Sequence, residues 1–383
     1  MIWPWVLLTF GGICGMVFPY LVYPLLLGLR PRRAALPKNP APAEWPAVSV
    51  ILTAYNAANR IGEKIGELLA LEYPGRLEIV VVDDGSDDHT GELATRAGAH
   101  QVLQLNERKG KSAAQNAGAA KAEGEILVFT DVAVSVRRDA LVPLVKELLA
   151  PGVGCVTGVD ESMAAPGQDA NRGAGVYTRW EIKLRNLEAA TGTLLGVNGC
   201  WYAIRAAHRP LVPASCVDDL YVPLAVVDRG LRVAFAPQAV AEVRRTAGLG
   251  EEFRRRVRTF AGGMFTLLDV QHDLPRAVRK LRWRLWGHKW LRWLSPLFAI
   301  LALYGSYGLS LRWPWTWFLF VAQVAAWLTV LLGVSLSAVR VPLPRLLRLA
   351  MFLGLIQVAM AVAWLRVLMN RPYVTWEPTR RLW

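Results

Sequence analysis

The chain has 383 residues, 54% of them hydrophobic, and a net charge of +14 carried mostly by arginine. Cys14, Cys155, Cys200 and Cys216 are scattered, with no CxxC and no paired spacing, which excludes a disulfide framework or zinc ribbon and fits a reduced compartment. No GxGxxG and no GxxxxGK(S/T) occurs, which argues against a Rossmann dehydrogenase and a P-loop NTPase.

Residues 3–29 form an apolar run without a charged side chain, longer than the ~20 residues a spanning helix needs. Pro19 and Pro24 kink it, which a membrane helix tolerates. A cleaved signal peptide is the competing reading, but the run lacks a basic n-region and exceeds the usual h-region. Arg30, Arg32, Arg33 and Lys38 follow, so the positive-inside rule puts this end in the cytoplasm and the N-terminus outside. The proline-rich stretch at residues 36–46 is a linker.

Residues 48–88 read VSVILTAYNAANRIGEKIGELLALEYPGRLEIVVVDDGSDD. Residues 48–52 and 77–82 are short and β-branched, as buried parallel strands are. Ile61, Ile65, Leu68 and Leu69 repeat at helical spacing between them, giving a β-α-β unit. In such sheets ligands bind beyond the carboxyl ends of the strands. Those ends carry Thr53, Ala54, Tyr55 and Asn56 on one strand and Asp83, Asp84, Gly85 and Ser86 on the other. An aromatic ring beside a carboxylate suits a nucleotide, by stacking on the base and accepting its N–H protons.

Further along, a short helix through residues 90–96 leads to a strand at 101–105. The alanine-rich segment after Lys109-Gly110-Lys111 predicts a helix from near Ser112, a good N-cap. Lys111 then stands where phosphate oxygens are welcome, though a solvated lysine in a turn fits this segment equally well. Residues 125–130 form another buried strand ending in Asp131, placed to hold a cation that bridges a diphosphate. Strands at 153–158 and 196–204 are expected, with Gly199 in a tight spot, and a helix at 177–191. Asp218 and Asp219 open a helix over residues 220–229, either as favourable charges at its N-terminus or with one acting as a general base.

From Arg254 to Arg292 there are 11 basic residues against Asp269 and Asp273. Nucleic acid is one partner for such a run. However, Trp283, Trp286, Trp290 and Trp293 fall on one helical face directly before an apolar stretch, which favours an interfacial helix over a nucleic-acid site. Packing of these rings on the globular part is the alternative. Apolar runs near 293–311, 315–337 and 349–365 complete the spans. Arg340, Arg345 and Arg348 belong in the cytoplasm. Four spans would then put Arg366, Arg371, Arg380 and Arg381 outside, a conflict relieved if one C-terminal segment is re-entrant or does not fully cross.

The ordered series TAYN, VVVDDGSDD, GK with a following N and G, a strand ending in Asp, an Asp pair and an arginine-rich segment resembles glycosyltransferase family 2, membrane-anchored bacterial type. The resemblance covers about residues 48–268 and, in membrane layout, the whole chain. It implies an α/β GT-A fold, a Rossmann-like mixed sheet, plus transmembrane helices. It divides the chain into an N-terminal transmembrane helix (1–30), a linker (31–45), a cytoplasmic catalytic domain (46–273), an interfacial helix (274–292), three C-terminal transmembrane helices (293–369) and a tail (370–383).

The resemblance further implies that Thr53, Tyr55 and Asp84, with Ala54, Asn56 and Asp83 beside them, hold the uracil and ribose of a UDP-sugar. Lys111 would approach the diphosphate, and Asp131 would be the first carboxylate of a DxD motif holding Mg2+ or Mn2+. Asp219, second of its pair, would deprotonate an acceptor hydroxyl, lipid-linked or saccharide. The DxD motif reads Asp131-Val132-Ala133, without its second carboxylate. The QxxRW of processive synthases is here Arg255-Arg256-Val257-Arg258-Thr259, keeping only the arginine. Arg255 or Arg258 remains suited to the diphosphate. The expected function is transfer of a sugar at the inner face of the plasma membrane during cell-envelope or exopolysaccharide synthesis. A processive synthase and a catalytically degenerate subunit of an export complex are the rivals.

Overall fold

The computed structural model describes residues 2–32, 42–163, 172–244, 248–339, 341, 343–373 and 375. The middle of the expected linker, most of the expected tail, and Arg33, Lys38, Arg340, Arg380 and Arg381 lie outside the described residues.

Eight strands form one mixed sheet: β1 (Val48–Ala54), β2 (Leu77–Asp83), β3 (Gln101–Gln104), β4 (Ile126–Asp131), β5 (Val134–Val136), β6 (Val153–Met163), β7 (Trp201–Arg205) and β8 (Arg232–Arg244). Their order is β3-β2-β1-β4-β7-β6-β8-β5. The first four in that order are mutually parallel, and β7 runs antiparallel between β4 and β6. The β-branched runs end up central because both their faces are covered. Val48, Val50 and Leu52 of β1 pack with Ile61, Ile65 and Leu68 of the helix Ile61–Leu69 on one face. Ile51 joins Phe129 and Tyr202 on the other. A fully buried aliphatic side chain contributes ~1.5–3 kcal/mol, so a four-residue stretch such as 79–82, buried on both sides, commits its segment to the sheet.

The helix Thr90–Arg96 has the expected limits. Two differences from the expected elements shape the site. The strand expected at 196–204 begins only at Trp201, because Val197 donates its N–H to the Asp219 carbonyl (2.8 Å) instead of to a sheet neighbour. Residues 196–200 therefore run as a loop beside the Asp pair. Strand β8 carries Pro237 and pairs with β6 through register shifts, which hides β8 from a period-2 reading, while β6 runs on past the expected end at residue 158.

Among the described residues, three helices are long and apolar enough to cross a membrane: Trp3–Gly28, Pro314–Ala338 and Arg345–Leu368. A fourth is possible if Pro275–Trp293 and Ser295–Ser310, bent by 62° at their junction, count as one span. Pro19 and Phe18 begin a π-helical turn, Phe18–Val22, inside the first. The tryptophan stripe is a correction: it packs mostly on protein. Trp283 lies 5.4 Å from the Tyr23 ring with Arg30 above it, and Trp290 lies between Trp293 and Trp364. Trp293 is 4% exposed, and Trp286, at 49%, is the outward member. The first and last spans lie against this segment, and covering large rings outweighs leaving them at the surface.

Candidate active site

Parallel pairing places Thr53 beside Asp131 and Ala54 beside Asp83, so three strand ends form one polar rim. Thr53 is buried, and its hydroxyl has no hydrogen-bond partner among the described residues. Tyr55, just beyond β1, is half-buried, and the Arg108 guanidinium lies 3.9 Å from the centre of its ring. The stacking face expected for a base is thus shared with a cation. Arg108 was not singled out from the sequence, where only its place beside Lys109-Gly110-Lys111 hinted at the rim.

The neighbouring carboxylates are engaged by the turn and loop around them. Asp84 is 1% exposed and accepts the N–H groups of Lys109 (2.8 Å) and Gly110 (2.9 Å). Burial raises its pKa despite those amides. Asp83 accepts from Ser86 N (3.0 Å), the Ser86 hydroxyl and Gly91 N (3.1 Å), and so braces the start of the helix Thr90–Arg96. Asn56 accepts from Asp87 N (3.1 Å), while its own N–H donates to Ser86 Oγ. The turn needs Gly85, whose φ of +73° and contact with the Arg108 amide leave no room for a Cβ. Four of the expected nucleotide residues thereby build the rim or stand behind it: Ala54, Asn56, Asp83 and Asp84. Two reach it, Thr53 and Tyr55.

The helix Lys111–Lys121 starts one residue before the expected cap, and Ser112 instead donates to the Cys216 carbonyl (2.8 Å). Lys111 Nζ lies 2.9 Å from Asp131 Oδ1 and donates to the Gly199 carbonyl at 2.9 Å. Burial opposes its charge, but Asp131 and Asp218 outweigh this and hold the ammonium above its ordinary value. Opposite lies the Asp pair. Asp218 is buried and accepts from Gln115 Nε2 (3.0 Å) and Tyr202 Oη (3.3 Å). Tyr202 is itself stacked on Phe129, its cross-strand partner (4.9 Å). Asp219 makes no side-chain hydrogen bond or ion pair among the described residues. Burial and then Asp218 push its pKa up to about 6, against Lys289, Lys111 and Arg185. Gly199 is tight as expected, since a Cβ there would stand 3.1 Å from Asp219 Cβ. Arg255 is held by Glu252 through Nε (3.0 Å) and Nη2 (2.8 Å), and feels Asp160 and Cys200 beside the same loop. Glu252 is pulled down to about 2 by Arg255 and Arg256 in spite of its burial. Arg258 lies one turn further along this helix, Leu249–Asp273.

Residues 49–210, from β1 to just past β7, match the model of Glycosyl transferase family 2. That stretch is similar to a family 2 glycosyltransferase domain. The chain is 24% identical over 243 residues to an N-acetylglucosaminyltransferase of Azorhizobium caulinodans, covering 56% of this chain and 58% of that protein. It is 24% identical over 233 residues to a poly-beta-1,6-N-acetyl-D-glucosamine synthase of Staphylococcus aureus, covering 59% of this chain and 56% of that one. The chain thus spans under two thirds of the length of either curated relative. Among solved structures, a mannosyltransferase of Pyrobaculum calidifontis in complex with GDP-Man and Mn2+ shares the fold at a TM-score of 0.71, with 21% identity, over 95% of this chain and 99% of that one. The fold is of GT-A type. Asp218 and Asp219 lie beyond the matched segment.

Proposed function

We propose that this enzyme is membrane-bound and inverting, and moves a sugar from a nucleotide-sugar, a UDP-sugar first of all, to a lipid-linked or saccharide acceptor at the cytoplasmic face of the plasma membrane. The product would serve cell-envelope or exported polysaccharide. The observation that carries this reading is the contrast within the Asp pair: Asp218 is tied by two hydrogen bonds, and Asp219 is left unbonded across a loop from Lys111 and Asp131.

In this mechanism Tyr55 and Arg108 hold the base, the unpaired Thr53 hydroxyl bonds the nucleoside, and Lys111 with Arg255 and Arg258 carries the diphosphate. Asp219 takes the proton of the acceptor hydroxyl as its oxygen attacks the anomeric carbon. The bond to the nucleoside diphosphate breaks on the opposite face, which inverts the centre. General-base help of this kind is worth ~10²–10⁴-fold. The apolar helices and the basic segment before them would hold the domain against lipid, with the N-terminus outside.

The Pyrobaculum mannosyltransferase was solved with Mn2+. Here Asp131 is already paired with Lys111. No group of three His, Cys, Asp or Glu that could hold a metal ion occurs among the described residues. This set does not fit a tightly held Mg2+ or Mn2+, and no step above passes through one.

A second reading, processive synthesis, draws on the similarity to the staphylococcal synthase. Arg255 and Thr259 stand against it, since Thr259 offers no ring on which a sugar could sit. Purified full chain in lipid, given a panel of UDP- and GDP-sugars with a lipid extract, tests both by product mass. Addition of one or a few sugars supports the proposal. A ladder reaching tens of sugars supports the synthase, and no transfer from any donor overturns both.

A further inference from the structure

The helix leading to Ser295–Ser310 is interrupted by a π-helical turn, Leu285–Trp290. Such turns concentrate at functional sites because the extra residue re-aims side chains. Four basic residues lie in or beside this one, and Arg284, just before it, donates to the carbonyls of Glu188, Thr193 and Thr191. His288 Nδ1 is 2.7 Å from Glu188 Oε1, and Arg292 Nη2 is 3.2 Å from Glu181 Oε2. Both carboxylates belong to the helix Arg172–Ala190. Lys289 makes no hydrogen bond or ion pair among the described residues. It points instead toward the active-site loop. A Cβ on Gly196 would stand 3.9 Å from Lys289 Nζ and 3.3 Å from the Asp219 carbonyl oxygen. Gly196 thus lies between this ammonium and the backbone of Asp219.

Four charged groups act most strongly on Asp219. They are Asp218 on its own helix, Lys111 from the helix Lys111–Lys121, Arg185 from the helix Arg172–Ala190, and Lys289 from the π turn. Lys111 is committed to Asp131, and Arg185 has Glu181 at 4.0 Å. Lys289 in turn faces Glu181, Glu188 and Arg292, which are already engaged with one another or with His288. It is the cation whose strongest uncommitted neighbour is the base itself.

We propose that Lys289 is a positioning residue of the active site, delivered by the π turn at the foot of the membrane helices, whose ammonium supplies the counter-charge that keeps Asp219 a carboxylate. This rests on Asp219 as the base. It also gives the membrane-proximal segment a part in the chemistry, since the base is poised for proton transfer when that segment is docked on the domain. Burial and Asp218 alone favour a protonated, idle Asp219, and an opposite charge across one residue's width is of the right size to counter them.

The test needs no substrate. Infrared titration of the protonated-carboxyl band between about pH 4 and 8, with the full-length Asp219→Asn protein as background, isolates Asp219. The wild-type midpoint is expected near 6. Lys289→Gln should raise it by about one unit, and Lys289→Arg should restore it. Lys289→Met repeats the test if the glutamine variant does not fold. The same midpoint in wild type and in both neutral variants would overturn the proposal. A second readout uses UDP-N-acetylglucosamine as donor, where the acid limb of the rate profile should move by the same amount. An unmoved limb with a raised acceptor KM would make Lys289 an acceptor ligand instead, and overturn it. If Asp219→Asn keeps full transfer activity, the base assignment fails, while the infrared shift still reads the Lys289–Asp219 coupling.

Discussion

Asp84 and Asp219 are both largely withdrawn from solvent and differ in what their oxygens touch. Asp84 accepts two backbone amides and fixes the loop before the helix Lys111–Lys121. Asp219 accepts nothing among the described residues, and its pKa has risen to about 6. A satisfied carboxylate holds shape. An unsatisfied one, kept between its two protonation states by near-balanced charges, is free to move a proton. The same contrast separates Asp218 from Asp219 one residue apart.

The sharpest way to break this comparison is to neutralise each side. Asp219→Asn should lower sugar transfer by ~10²–10⁴-fold while nucleotide binding, measured by calorimetry, stays within about twofold. Full activity there with an inactive but folded Asp218→Asn would mean that the base is the other member of the pair. Asp84→Asn should act on stability instead. Losing charge-assisted bonds to amides costs about 1.5–3 kcal/mol, read by denaturant titration in detergent. A weakened nucleotide affinity without that loss would return Asp84 to the ligands.

Tyr55→Ala should weaken nucleotide binding by ~1–3 kcal/mol, the worth of one base stacked on a ring. Unchanged affinity would place the base elsewhere. Among the smallest effects, Ala133→Asp should let Mn2+ bind measurably more tightly by electron paramagnetic resonance, because it adds a second carboxylate near Asp131. Equal and tight binding in wild type would contradict the poor fit found for the existing residues.

Much of this was legible in the sequence, for physical reasons that differ by region. The β-α-β unit and the buried strands announce themselves because residues such as those at 79–82 are apolar on both faces. The Asp pair was legible as a helix start, and the tight spot at Gly199 as a loop under pressure. What a carboxylate bonds to was not legible. TAYN and DDGS give residue types, but whether Asp84 looks outward or accepts two amides depends on a loop 25 residues away, whose path no local pattern fixes. Arg108 and Lys289 escaped for the same reason, each being defined by a neighbour distant in sequence. The tryptophan segment was read as one helical face, but the π turn at Leu285–Trp290 breaks that spacing, and the partners Tyr23 and Trp364 lie near the two ends of the chain.

The central claim is that Asp219 performs the proton transfer, and the pH dependence of kcat/KM for the full chain tests it most directly. The carboxylate is the active form and its pKa stands near 6. The rate should therefore be level at neutral pH and fall about tenfold per unit well below 6, with that limb missing from the residual activity of Asp219→Asn. A wild-type profile that stays level down to pH 5, or an Asp219→Asn profile with the same limb, would contradict the account.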